Sequence, residues 1–271
     1  MKFSLTILGS SSAVPTASRN TTAHVLNAHE RFYLIDCGEG TQSQIRKYRI
    51  RLGSIHQIFI SHLHSDHILG LFGLLSTLSL LGRKSELVLY GPQKLEGIVT
   101  GHFKLMPDTL MYPLKFIILP DTGPEMIHED KALSVYSFPV KHRIPAWGFI
   151  FREKTDSCTD PCVEGRTYVY CTDTIFNADF SEWFRDCDLM YHEATYSHAH
   201  LNRAVSTAHS TALQAGEMAR LSNARQLLIG HFSARYKDIS LLLNEAQSVF
   251  PNTLAAMDGM TVEIPSRKTE K

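Results

Sequence analysis

The run IFISHLHSDHILGLFGLL, residues 58–75, constrains this chain more than any other stretch. It opens with strand-like apolar residues, closes with helix-like ones, and packs His62, His64, Asp66 and His67 between them. Side chains alternate faces along an extended backbone, so His62 and His64 point the same way if the chain stays extended through H-x-H. Asp66 and His67 follow where the chain turns into a helix, and they project toward a second position. Burying three imidazoles and a carboxylate unpaired costs several kcal/mol, and a single metal rarely takes four ligands from one short loop. Two metals sharing the loop, about 3.5–4 Å apart, fit better.

Two metals need donors that one loop does not supply. Three further segments end an apolar run in a metal-competent side chain: SFPVKHRIPAWGF with His142, YVYCTDT with Asp173, and LLIGHFSARY with His231. Each sits where loops gather over the open edge of a sheet. Alone, an Asp after a strand reads as a turn or cap residue, and a single His as a satisfied core or surface group. With the first loop they form a coherent set of seven.

The rest of the chain supplies the frame. Strands are expected at Phe3–Leu8, on both sides of a hairpin turn at Asn27–Glu30, and within HQIFI and ELVLYGP. Helices are expected to open after the paired glycines of CGEGTQSQIRKY, in the nearly all-apolar HILGLFGLLSTLSLLG, and in QKLEGIVTGHFKLM. The second half repeats this order without sequence repetition. Its expected strands are Lys115–Leu119, Leu133–Pro139, Trp147–Arg152, Thr167–Cys171, Leu189–His192, QLLIGH and Thr261–Ile264. Its helices are Phe180–Arg185, STALQAGEMARLSN and DISLLLNEAQSVF. The pattern suggests two packed sheets with helices outside, although the order of elements alone also suits a Rossmann-like sheet. No linker or repeat divides residues 1–271, so a single domain is expected.

Composition bounds the function classes. Hydrophobic residues make up 44% and charged residues 20%, as in a globular protein, and 27 cationic against 27 anionic side chains give no sign of a strongly basic nucleic-acid binder while leaving room for a local basic patch. Five scattered cysteines do not form a disulfide framework, and FSLTIL reads as a first strand rather than a leader. No apolar run approaches the ~20 residues of a membrane helix, so a cytoplasmic, membrane-free protein is expected.

H-x-H-x-D-H followed by distant His, Asp and His resembles the metal signature of the metallo-β-lactamase superfamily. HEAT at His192–Thr195, HST at His209–Thr211 and GHFSARY at Gly230–Tyr236 are similar to the motifs of the ribonuclease Z family, which processes tRNA 3′ ends. FYLIDCGEGTQSQIRK, YGP and SVFP match as well, so the likeness spans nearly the whole chain. The resemblance implies an α/β (α+β) four-layer αββα sandwich, two mixed sheets flanked by helices, with two Zn²⁺ ions and a homodimer. Mn²⁺ accepts the same N and O donors. Carried over by motif, His62, His64 and His142 hold one metal, Asp66, His67 and His231 the other, and Asp173 bridges them. Such a centre generates a hydroxide nucleophile near neutral pH, and the second oxygen of Asp66 is placed to orient it. The resemblance assigns protonation of the leaving 3′-oxygen to His209, with Glu193 stabilising its charged form. The bland alternative is that His209 caps a helix and Glu193 pairs with surface cations.

One feature departs from the family. Between the strand after His142 and the bridging Asp173, relatives carry a long arm that grips tRNA, whereas Phe151–Tyr170 is long enough only for a hairpin or short loop. Endonucleolytic removal of the 3′ trailer from precursor tRNA is therefore weighed against hydrolysis of small or unstructured phosphodiesters, such as cyclic nucleotides or short RNA. A non-enzymatic RNA-binding protein of the same fold is disfavoured by the complete donor set. Arg46, Lys47, Arg49 and Arg51 read as a solvated helix end, with RNA phosphates as the functional alternative. Arg235 and Lys237 lie closer to a donor, and Phe232 and Tyr236 suit either a base or the core. Cys158 and Cys162 read as two loop thiols, and His198 and His200 as exposed loop residues.

Overall fold

The computed structural model describes residues 2–107, 109–154 and 163–268. Its first nine strands are β1 (Phe3–Gly9), β2 (Ser11–Ser12), β3 (Ala23–Ala28), β4 (Arg31–Ile35), β5 (Ile55–Phe59), β6 (Leu87–Gly91), β7 (Leu114–Ile118), β8 (Glu125–Glu129) and β9 (Leu133–Val140). The others are β10 (Ala146–Glu153), β11 (Val163–Glu164), β12 (Thr167–Cys171), β13 (Leu189–Glu193), β14 (Leu227–Gly230), β15 (Phe232–Ser233), β16 (Thr253–Ala255), β17 (Thr261–Glu263) and β18 (Arg267–Lys268). The helices are α1 (Thr41–Lys47), α2 (Ser65–Leu80), α3 (Leu95–Leu105), α4 (Leu201–Thr207), α5 (Ala212–Leu221) and α6 (Ser240–Val249).

Two mixed sheets of seven strands face each other, in the orders β17-β1-β3-β4-β5-β6-β7 and β16-β14-β13-β12-β10-β9-β8. Period-two alternation builds the layers. Leu5, Leu26, Tyr33, Phe59, Phe149, Tyr170 and Tyr191 meet in the core between the sheets. Their neighbours Val25, Leu34, Ile58 and Leu89 turn outward onto Leu71, Leu74 and Leu78 of α2. On the other side Ile150, Val169, Met190 and Ile229 pack on Ala215, Met218 and Ala219 of α5. Helix, sheet, sheet and helix therefore stack in four layers, and the Rossmann-like alternative falls away.

The hairpin β3–β4 turns where expected. His29 and Glu30 both have positive φ (54° and 65°), as a two-residue turn matching the strand twist requires. Two expectations need correction. Phe180–Arg185 is not a helix: a short 3-10 turn, Ala178–Glu182, takes its place, and it brings Phe180, Trp183 and Phe184 onto Phe138 while Ala178, Asp179 and Glu182 stay exposed. Helix α4 lies where a loop was read, although His198 and His200 are exposed as expected. The edge strands β8 and β16 also escaped the sequence reading.

Topology decides where the donors go. β4 and β5 are parallel, as are β12, β13 and β14, and β9 runs with β12 because both are antiparallel to β10. The C-terminal ends of β4, β5, β9, β12, β13 and β14 carry Asp36, His62, His142, Asp173, Glu193 and His231 respectively. No helix among the described residues is long and apolar enough to cross a membrane. Cys37, Cys171 and Cys187 are buried, and Cys158 and Cys162 lie outside the described residues.

Leu74, fully buried beneath the first sheet, anchors the helix that carries Asp66 and His67. Leu74→Ala should lower the unfolding free energy by about 2–5 kcal/mol in a denaturant titration. Met257→Ala, at a side chain 60% exposed, should change it by less than about 0.5 kcal/mol.

Candidate metal centre

The seven donors selected from the sequence lie together, in two groups. In the first, His62 Nε2 is 3.0 Å from His64 Nδ1, which is 3.2 Å from His142 Nε2. Asp173 Oδ2 approaches His62 Nε2 at 3.4 Å and His142 Nε2 at 3.8 Å. In the second, His67 Nε2 lies 3.5 Å from Asp66 Oδ2 and 3.4 Å from Asp173 Oδ1. His231 Nε2 is 3.4 Å and 3.1 Å from the same two oxygens. Donors around a tetrahedral ion with bonds of 2.0–2.1 Å stand about 3.3 Å apart. The His–His and His–carboxylate distances of both groups lie near this spacing, and Asp173 turns one oxygen to each.

Hydrogen bonds on the far side of each ring fix which nitrogen faces inward. His67 Nδ1–H donates to Asp36 Oδ2 at 2.7 Å, which leaves Nε2 buried with no hydrogen-bond partner. His142 Nδ1–H donates to the Ala208 carbonyl at 2.8 Å. Ser61 Oγ–H donates to Asp36 Oδ2 at 2.8 Å, so Ser61 Oγ in turn accepts from His62 Nδ1–H at 3.0 Å. His62 Nε2 and His142 Nε2 therefore both present lone pairs to His64 Nδ1, which has at most one proton to offer. A cation relieves this crowding. Burial keeps His62 and His142 below their ordinary pKa, and burial together with the neighbouring His62 and His142 lowers His64 to about 4. Three neutral imidazoles suit a metal. Burial also opposes charge on His67, but Asp173, Asp66 and Asp36 hold its pKa well above the usual value. Asp66 and Asp173 stay ionised despite burial, held by the imidazoles around them.

The backbone around the centre is strained. Ala13, Asp36, Asp173, Ala208 and His231 all have φ between 42° and 63°, a region that L-residues rarely enter. Each has a duty at the centre. The Ala13 N–H donates to Asp66 Oδ2 at 2.7 Å, the Ala208 carbonyl holds His142, and the remaining three are donors or support them. Such strain persists where the surrounding structure over-determines it, as at functional sites.

Next to the two groups lie His209 and Glu193. The cap of α5 is Thr211, whose side chain accepts from Gln214 N–H in a capping box, so His209 is not a cap residue. Its Nδ1–H instead donates to Glu193 Oε1 at 3.0 Å. Glu193 is fully buried and also accepts from Thr174 N–H at 2.7 Å and from Thr195 Oγ–H at 2.5 Å. Burial alone would lower His209, but Glu193 outweighs it and lifts the imidazole to about 9. A cleft of about 180 Å³ opens over Asp66, Asp173, His209 and His231, with Arg143 at its rim.

Several participants were not selected from the sequence. Asp36 looks like a turn residue after a strand, and only the fold places it under His67. Thr195 accepts from His231 Nδ1–H at 3.0 Å while donating to Glu193. Arg143 had the one available signal, its position beside His142. Of the other candidates, Phe232 is a fully buried core residue, and the Tyr236 hydroxyl accepts from Ser197 N–H. Arg46, Lys47, Arg49 and Arg51 are exposed, and Arg51 pairs with Glu30. Arg235 is exposed and lies over the Tyr196 ring. Lys237 is exposed as well.

Comparison with known proteins agrees with this arrangement. The family model for the beta-lactamase superfamily domain matches residues 31–232. Ribonuclease Z of Parabacteroides distasonis is 37% identical over 301 positions, covering 97% of this chain and 99% of the relative. Ribonuclease Z of Bacteroides fragilis strain YCH46 is 38% identical over 302 positions, with the same coverage. Both alignments are longer than the 271 residues of this chain, so these relatives hold residues it lacks. Among solved structures, the short form of human tRNase Z superposes with a TM-score of 0.80 at 29% identity, covering 97% of this chain and 99% of that one. A diphosphatase of the PhnP family, 20% identical with a TM-score of 0.73, shares the fold over 97% of this chain and 98% of its own. With the family model matching most of its length and relatives well above 30% identical end to end, the chain belongs to the ribonuclease Z family of the metallo-β-lactamase superfamily.

Proposed function

We propose that this protein is a metal-dependent endoribonuclease that removes the 3′ trailer from precursor tRNA, a hydrolase of phosphodiester bonds. The observation that carries the reading is the pair of His/Asp donor groups with Asp173 turning one oxygen to each, in a chain 37% identical to a ribonuclease Z. His62, His64 and His142 with Asp173 would hold one ion, and Asp66, His67 and His231 with Asp173 would hold the other. Nitrogen and carboxylate donors at this spacing favour Zn²⁺, with Mn²⁺ as the second choice. When bound, two such ions supply a water acidified toward neutrality and positive charge against phosphate oxygens.

The chain's own residues do the rest. Asp66 Oδ1 accepts no hydrogen bond among the described residues and lines the cleft, where it orients the nucleophile. His209, positively charged at neutral pH, offers the proton on Nε2 to the leaving 3′-oxygen. Glu193 holds that charge and fixes the ring. The protein is read as one domain acting in the cytoplasm.

A second reading, hydrolysis of small or unstructured phosphodiesters, is favoured by one observation. Only residues 154–166 join β10 to β12, too few for a long arm. Assays on bis-p-nitrophenyl phosphate and on precursor tRNA separate the two: hydrolysis of both supports the tRNA nuclease, and hydrolysis of the first with tRNA intact at high enzyme establishes the alternative. A homodimer is supported by apolar side chains left open on the first-half helices and the loops after them, such as Leu80 (85% exposed), Leu105 (87%) and Met111 (59%). Light scattering at micromolar concentration should report twice the mass of the chain, and a monomer contradicts it. His209→Ala should keep both ions in metal analysis while kcat falls about 10²–10⁴-fold. An unchanged rate removes His209 from the mechanism.

A further inference from the structure

Beside the metal centre lies a second cavity, about 410 Å³, within the range of sites for small organic groups. Leu63, Leu119, Ile144 and Trp147 wall it. Two of these belong to the loops that carry the donors. Leu63 sits between His62 and His64, and its side chain turns to the opposite face of the same extended stretch. Ile144 follows His142 and Arg143. The Trp147 N–H donates to the Ser61 carbonyl at 3.0 Å, which ties the floor of the cavity to the residue before His62. The indole is pinned by its own Nε1–H, which donates to the Pro120 carbonyl at 2.7 Å. One thin wall thus separates the cavity from the cleft.

The mouth is polar. Gln93, Lys94 and Asp121 line it, all exposed, and their side chains hydrogen-bond to nothing among the described residues. Arg143, on the cleft side of the wall, is likewise exposed and without a partner among the described residues. A rigid apolar slot with an amide and a carboxylate at its mouth, flanked by two free cations, matches the parts of a nucleotide. The ring system enters the slot, its polar edge meets Gln93 and Asp121, and phosphates meet Arg143 and Lys94.

We propose that this cavity is a nucleotide subsite, taking one unpaired base of the RNA next to the scissile phosphate. The proposal rests on the phosphodiesterase reading above and assigns that site its register. The test compares wild type with Ile144→Trp, which fills the slot, and with Gln93→Ala/Asp121→Ala, which strips its mouth at exposed positions. The substrates are bis-p-nitrophenyl phosphate and the RNA that the wild type cuts, precursor tRNA or a single-stranded oligoribonucleotide, carrying single abasic replacements near the cleavage site. One abasic position should lower wild-type kcat/KM about ten-fold or more. Both variants should show a similar loss on intact RNA, mainly as higher KM, and little further loss at that position, with bis-p-nitrophenyl phosphate turnover unchanged. A flat abasic scan, or variants that cut RNA as well as wild type, overturns the subsite. So does a change of assembly state in light scattering with RNA kinetics intact, which assigns the cavity to a second copy of the chain. A wild type that cleaves bis-p-nitrophenyl phosphate but no RNA also overturns it and leaves the hydrolase reading standing. One that cleaves neither substrate sinks that reading itself.

Discussion

Asp36 holds the two halves of this protein in register. Its buried carboxylate accepts from the Ser61 N–H and hydroxyl, from His67 Nδ1, and from the Tyr170 phenol at 2.6 Å. Those partners come from the end of β5, the start of α2 and, across the core, β12. The first sheet thereby aims an imidazole while the second sheet, through Tyr170, fixes the carboxylate that aims it. Asp173 follows Tyr170 by three residues, so the carboxylate that faces both groups is set by the same strand. An ionised carboxylate this deep persists only when fully paired, and its partners hold its pKa below the ordinary value although burial opposes them.

A second chain of contacts runs along the other side of the cleft. Thr195 links Glu193 to His231, joining the residue that charges His209 to one that belongs to a donor group. His209, through Glu193, and His231 are therefore both positioned by one hydroxyl. The left-handed residues Asp173 and His231 sharpen the effect: the backbone turns sharply just past each strand end, at the residue whose own side chain faces the centre.

Much of this was legible in the sequence because it is local. H-x-H-x-D-H needs only a strand end, and His142, Asp173 and His231 each follow an apolar run. The αββα layering is written in period-two alternation on both sheets. What escaped was either weakly periodic or assembled from afar. Helix α4 is seven residues long, and its Thr207 hydroxyl donates back to the Arg203 carbonyl, so no apolar stripe announced it. The turn at Ala178–Glu182 mimicked a helix because its aromatic spacing serves contacts with Phe138. Asp36 in LIDCGEG carries no local sign of its task, and the slot beside Trp147 draws its walls from four stretches of chain.

The β10–β12 connection has a consequence beyond its length. It leaves the sheet at the end of β10 and the beginning of β12, whereas Asp173 follows the other end of β12. At about 3.3 Å per residue, the five residues of β12 put roughly 17 Å between them. Arg166 and Glu153 pair across the base of the connection, Arg166 also donates to the Ile264 carbonyl, and β11 forms a ladder with β18. Since the entropic penalty of a longer loop grows only with the logarithm of its length, segments can be gained or shed at this pole without disturbing the chemistry at the other. Grip and cutting edge are mechanically insulated, and lineages of this fold are free to trade one while keeping the other.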